Sequence, residues 1–397
     1  MNFPRLPEGF DLDPLRPRVL RHNAEAREVW DSYKADRPIR VPVHFAAART
    51  LYHELHGLDW RGYYEDPDEM IRLQLETEKY KRELPLGDHP LAEAPDAWEV
   101  RVDFHPIATA ASLGCPVMFR PDAVPAHQSL NRGLQECLEM EWPDWLESAL
   151  MPRHAVFIDQ FDQRCVTEGL RFMGKPVNRV KPTIPSTGGG IFSTALDLRG
   201  EEIMADMYEF PEEVHVLLER IAEWRIGLER TWTLRDGMAY PLDHPGKGEI
   251  EITDHGIDML SVDTYETFIG SLISRLAAKY RQAPSTFLHH CGKGTHLLPA
   301  IMKRCKFDRL HALTWPLNDI GRIRRELGQH VWITAVIADT IYQGGPEATR
   351  AAVKEFLTPE VMGSGRICIW VAGEAAGIPV ASYKAVYEAV KEFGRYR

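Results

Sequence analysis

Ser285-Thr286-Phe287-Leu288-His289-His290-Cys291-Gly292 reads as a short buried strand, Thr286 to His290, that runs into a glycine-containing loop. Side chains alternate between the faces of a strand, so Phe287, His289 and Cys291 share one face and Leu288 and His290 the other. An amphipathic helix, Phe268 to Tyr280, precedes this strand, and a helical stretch, Leu297 to Cys305, follows it. Strands at Arg309–Trp315, Val331–Ile337 and Arg366–Val371 then alternate with helices at Asp319–Leu327, Pro346–Phe356 and Ala381–Phe393. Such alternation means parallel strands joined by crossover helices. The strands look apolar throughout, as buried parallel strands do. A doubly wound sheet and a closed (β/α)8 barrel both satisfy the pattern. A length of 397 residues favours an α/β (β/α)8 TIM barrel over 39–397, with an N-terminal helical extension over 1–38.

The earlier half carries weaker signals. A helical piece at Arg21–Ala35 is followed by an alternating stretch, Ile39–Phe45, which reads as the first strand. Asp66-Pro67-Asp68-Glu69 caps a long helix to about Leu84, with Pro67 at its first position and acids in its first turn. Strands are expected at Trp98–Phe104, Pro116–Phe119 and Ala155–Asp159, and a helix at Asp206–Trp224. Tyr240–Pro245 and Glu249–Asp254 read as strand-to-loop segments. Gly188-Gly189-Gly190 is a tight turn rather than a phosphate loop, since no Gly-Lys-Ser/Thr follows.

A net charge of −11 argues against nucleic acid or an anionic membrane as the main partner. Six scattered cysteines without a CxxC pair form no disulfide framework and fit a reducing cytoplasm. Met1 to Gly9 has no signal-peptide pattern, and no apolar run is long enough to span a membrane.

In a barrel, residues just beyond the strands line the site. Here they include Asp103, His105, His244, Asp254, His289, Cys291, Trp315, Asp339 and Glu374. His289 and Cys291 form a two-point metal grip, one imidazole and one thiolate. The alternative is a core histidine and a buried cysteine beside a turn. Asp103 and His105 end a strand and are substrate-contact candidates, as is His244; each also suits a turn. Trp315, with Tyr52 and Tyr342, is a candidate wall for an aromatic substrate, although such aromatics are more often core. His290 points behind the barrel.

The order of segments resembles the uroporphyrinogen decarboxylase superfamily, and within it the corrinoid-dependent methyltransferases. The resemblance runs from about residue 39. It rests on Asp254-His255-Gly256-Ile257-Asp258-Met259-Leu260-Ser261, on His289-His290-Cys291-Gly292 as a His-x-Cys-Gly zinc motif, and on the closing segment Arg366 to Pro379. It implies zinc on His289, Cys291 and Glu374, the last standing where relatives usually have cysteine. Asp254 and Asp339 become the catalytic candidates, orienting a ligand or donating a proton; each equally suits the cap of a helix. It further implies a small methyl donor, such as a methoxylated aromatic, and a partner protein that carries cobalamin (a corrinoid) as Co(I). A homodimer is compatible with this reading. Ala46-Ala47-Ala48-Arg49-Thr50 replaces the Arg-rich signature of porphyrinogen decarboxylation, which weighs against that reaction. The competing expectations are a metal-independent decarboxylase or lyase of this fold, and a non-catalytic barrel that binds a tetrapyrrole.

Overall fold

A computed structural model describes residues 6–46, 60–105, 107–120, 124–144, 151–180, 190–235, 249–279, 285–373 and 375–396. In chain order the strands are β1 (Val43–Phe45), β2 (Trp98–Val100), β3 (Val117–Met118), β4 (Ala126–His127), β5 (Arg171–Phe172), β6 (Lys175–Arg179), β7 (Glu249–Thr253), β8 (Ser285–His289), β9 (Arg309–Trp315), β10 (Trp332–Ile337) and β11 (Ile367–Val371). Six of them lie side by side and parallel in the order β1, β11, β10, β9, β8, β7. The first strand pairs with the last, Val43 opposite Ile369 and Phe45 opposite Val371. A parallel sheet whose first and last strands are neighbours is the curved wall of a (β/α)8 barrel.

The two faces of this wall differ in chemistry. Leu310, Leu313, Ile333, Ala335, Ile337, Ile367 and Ile369 are fully buried on the outer face. They pack under the helices Leu298–Cys305, Ile320–Leu327, Gly345–Phe356 and Val380–Phe393. Each of the leucine and isoleucine side chains contributes roughly 1.5–3 kcal/mol by leaving water. The inner face carries Glu251, Thr253, His289, His311, Thr334 and Trp370, all only partly buried. The strands are therefore not apolar throughout; their polar residues recur at the period of two that aims them inward.

β9 contains a bulge. Against β10, Ile333 faces Leu310 while Ala335 faces Leu313, so β9 spends one residue more than its partner. Ala312 takes up the extra residue with a φ of 64°. Beyond it the alternation shifts by one, and Trp315 faces outward instead of inward.

The helix Pro17–Lys34 lies across the N-terminal ends of the wall. The Tyr33 ring meets Trp332 edge-on at 4.9 Å, and Arg366 Nη2 pairs with Asp36 Oδ2 at 2.7 Å. Asp88 anchors β1 from the same side. Its carboxylate accepts from the amide of Val43 at 2.8 Å and pairs with buried Arg40. Asp66 caps the helix Pro67–Lys81, accepting from the amide of Asp68 at 2.9 Å, with Pro67 at the first position.

Other expectations are corrected. Ala155–Asp159 belongs to a helix, Met151–Asp162, whose Phe157 and Phe161 point four residues apart into one cluster. Only Trp98–Val100 of the expected strand pairs, and it pairs with β6 in a side sheet that also holds β5. β3 is half of a small hairpin with β4. Tyr52 and Tyr240–Pro245 lie outside the described residues. Among the described residues no helix is long and apolar enough to cross a membrane.

Candidate active site at the mouth of the barrel

Strand register assembles the site. Thr253 lies opposite His289, and His289 opposite His311, so one row crosses β7, β8 and β9. Glu251 stands two residues before Thr253 and thus on the same face. His289 Nδ1 is 2.8 Å from His311 Nδ1 and 3.5 Å from Glu251 Oε1. Just past β8, Cys291 Sγ comes to 3.4 Å from His255 Nδ1, which enters from the turn after β7. Ligand atoms of His255, His289 and Cys291 all lie within 4.8 Å of one another.

Both loops are fastened. Asn318, buried, donates from Nδ2 to the carbonyls of Gly292 at 2.9 Å and Thr314 at 3.1 Å, and its Oδ1 accepts from the amide of Gly294 at 2.7 Å. The loop is closely packed at Gly292, where a Cβ would sit 2.6 Å from Asp258 Oδ2 and 3.2 Å from His290 Nε2. On the other side, Ser193 Oγ accepts from the amides of His255 at 3.0 Å and Gly256 at 3.2 Å.

Burial governs the protonation of the cluster. It pushes His289 well below the ordinary imidazole value, reinforced by His311, His255 and His105. It pushes His311 down to about 4, with Arg309 adding to the effect. His255 is lowered by the same cause. All three rings are therefore neutral at neutral pH, the state in which imidazole ligates a metal. Burial raises Glu251 above the usual carboxylate range, against the hydrogen bond from Thr253.

The donor set of two imidazoles and a thiol fits zinc. On a tetrahedral zinc, a nitrogen and a sulfur ligand lie about 3.6 Å apart by standard bond lengths. The 3.4 Å between Cys291 and His255 matches that spacing.

A cavity of about 560 Å³ opens beside the end of β1. Trp60, Tyr63 and Trp98 wall it, and Gln74, Glu78 and Arg82 face it from successive turns of one helix. Asp103 lies at its edge, its carboxylate accepting from Tyr63 Oη at 3.2 Å.

The uroporphyrinogen decarboxylase (URO-D) family model matches residues 26–393. The chain belongs to the uroporphyrinogen decarboxylase family. The match begins inside the helix Pro17–Lys34 and covers both halves of the barrel wall. No curated protein matches the chain. Among solved structures, a methyltransferase from Methanosarcina mazei superposes with a TM-score of 0.60 at 17% identity, covering 91% of this chain and 97% of that one. That likeness supports the shared barrel fold of the family.

The sites expected from sequence fall out unevenly within this family fold. His289 and Cys291 come together, and His290 points outward, its Nδ1 hydrogen-bonded to the Asp254 carbonyl at 3.0 Å. Glu374 and His244 lie outside the described residues. Asp254 is fully buried and caps the helix Ile191–Arg199. Its carboxylate accepts from the amides of Phe192 at 2.8 Å and Ser193 at 3.0 Å and from Ser193 Oγ at 2.9 Å. Burial raises its pKa against those bonds, which hold it as a cap of that helix. Asp339 starts a short helix and accepts from the amide of Ala375 at 2.8 Å, so it fastens the loop after β11. His105 is exposed and close enough to His289 to weigh on its protonation. Trp315 is turned away by the bulge, with its ring centroid 5.7 Å from that of Phe356, and Tyr342 is fully buried. The sequence reading passed over His255, His311 and Glu251. Alternation of polar residues was legible on β7 (Glu249, Glu251, Thr253), but what brings His255 and His311 to the site is strand register.

Proposed function

We propose that this chain is a methyltransferase. It holds one zinc on His255, His289 and Cys291 and takes a methyl group from a small methylated donor. The acceptor is the Co(I) corrinoid of a partner protein. The observation that carries the reading is the cluster of two neutral imidazoles and a thiol at the C-terminal end of the wall. The likeness to a solved methyltransferase points the same way.

Bound there, zinc would polarise the heteroatom that leaves the methyl group. The chain's own residues do the rest. Asn318 and Ser193 fix the two loops, so the three donors converge before anything binds. The cavity faced by Tyr63, Gln74, Glu78 and Arg82, with Asp103 at its edge, is the place offered for the methyl donor. Holding donor and acceptor in line across one carbon is the main kinetic task of such a site.

The test combines purified protein, zinc, Co(I) cobalamin and a panel of O-, N- and S-methyl donors. Methyl-cobalt formation, read from the corrinoid spectrum, is the expected result. No methyl-cobalt with any donor, together with cobalamin-independent turnover of a carboxylated substrate, overturns the proposal in favour of a lyase.

A further inference from the structure

His289 belongs to two groups of side chains, one with His255 and Cys291, the other with Glu251 and His311. The separations in the two groups differ in kind. Two nitrogens on one tetrahedral zinc lie about 3.3 Å apart by standard bond lengths. The Nδ1 atoms of His289 and His311 are 2.8 Å apart, too close for that arrangement and right for an N–H···N hydrogen bond. One of the two nitrogens therefore carries a hydrogen and the other presents a bare lone pair.

Glu251 decides which. Its Oε1 lies 3.5 Å from His289 Nδ1 and accepts from Thr253 Oγ1 at 3.1 Å, so the carboxylate side of the contact favours a hydrogen on His289. His311 is then the acceptor. Its ring is held between Trp370, at 4.8 Å and 32°, and Phe287, at 5.7 Å. Register keeps the two histidines side by side on adjacent strands.

We propose that His311 is a positioning residue: by accepting the Nδ1 hydrogen of His289 it leaves the Nε2 lone pair of His289 free to ligate zinc. The opposite polarity would put the hydrogen of His289 on Nε2 and silence it as a ligand through that atom. The inference rests on the reading that His255, His289 and Cys291 hold the metal.

Two measurements test it. Long-range 1H–15N spectra of histidine-labelled wild-type protein, without and with zinc, report which nitrogen of His289 carries the hydrogen. Nδ1–H in both states, with Nε2 shifting on zinc addition, is expected; a hydrogen on Nε2 overturns the proposal. Zinc affinity is then measured by chelator competition. His311→Phe keeps a flat ring without the acceptor and should lower affinity about 10- to 100-fold. His311→Asn places a carbonyl oxygen near the Nδ1 position and should restore most of it. If wild-type protein binds zinc and His311→Phe binds it equally well, this proposal fails and the metal reading stands. If wild-type protein binds no zinc, the metal reading fails and takes the proposal with it.

Discussion

Asp254 offers a sharp choice between two roles for one carboxylate. As a helix cap it should matter to stability; as an acid it should matter to turnover. Asp254→Ala removes three hydrogen bonds of 2.8, 3.0 and 2.9 Å from a fully buried site. A hydrogen bond to a charged group is worth about 1.5–3 kcal/mol, and losing an N-cap costs roughly 0.5–2 kcal/mol. The contributions overlap, and the alanine is relieved of a buried charge, so a loss of about 3 kcal/mol is expected. Asp254→Asn is milder. Its one carbonyl oxygen can keep the two bonds from Ser193, while its NH2 then faces the amide of Phe192, at a cost of about 1–2 kcal/mol. Urea unfolding of the three proteins measures both losses. Stability within about 0.5 kcal/mol of wild type in both variants would refute the cap, since that is the range of inconsequential substitutions. Loss of methyl transfer in Asp254→Asn at unchanged stability would restore the acid.

Three further outcomes follow from buried groups. Asp88→Ala leaves the Arg40 guanidinium buried without its main partner and should cost about 3–5 kcal/mol in urea unfolding; an unchanged midpoint would show that the pair is dispensable. Burial pushes His89 down to about 3, and its Nε2–H donates to the carbonyls of Lys81 and Leu84. The folded value lies below the unfolded one, so stability is held above about pH 6.5 and lost as pH falls from there toward 3. His89→Gln, which can keep the donor without titrating, should flatten that acid slope, measured as urea midpoint against pH. The hydrogen bond to Asp197 raises His127, so its contribution is complete below about pH 6.5 and is lost as pH rises through the folded value. The stability difference between wild type and Asp197→Asn should therefore shrink from about pH 6 to pH 8.5; a constant difference would contradict the pairing.

The barrel was legible where strands are long and helices amphipathic. β8 to β11 and their helices lie within a few residues of their expected bounds, because period-two and period-3.6 patterns are hard to confuse over such lengths. The N-terminal half was harder. β1 and β2 have three residues each, too few to show a period, and the apolar run at Ala155–Asp159 fits a helix face as well as a strand. The outward turn of Trp315 could not be read, since it depends on a positive φ at Ala312, a residue with no preference for that conformation. His289 and Cys291 were visible through their spacing. His255 and His311 were not, because each sits alone in its own segment and gains meaning only from strand register. Asp254 follows a strand in the way a catalytic acid would, and only its three donors identify it as a cap.

Zinc binding by wild type, His255→Ala, Cys291→Ser and Glu374→Ala decides which residues hold the metal. Four-ligand zinc sites bind with about 10–16 kcal/mol, or roughly 3–4 kcal/mol per ligand, so losing one ligand should weaken affinity about 10²- to 10³-fold. Metal analysis and chelator competition should find close to one zinc per wild-type chain and that loss in both His255→Ala and Cys291→Ser. Full affinity in His255→Ala, with zinc lost from Glu374→Ala, would contradict a site built on His255, His289 and Cys291.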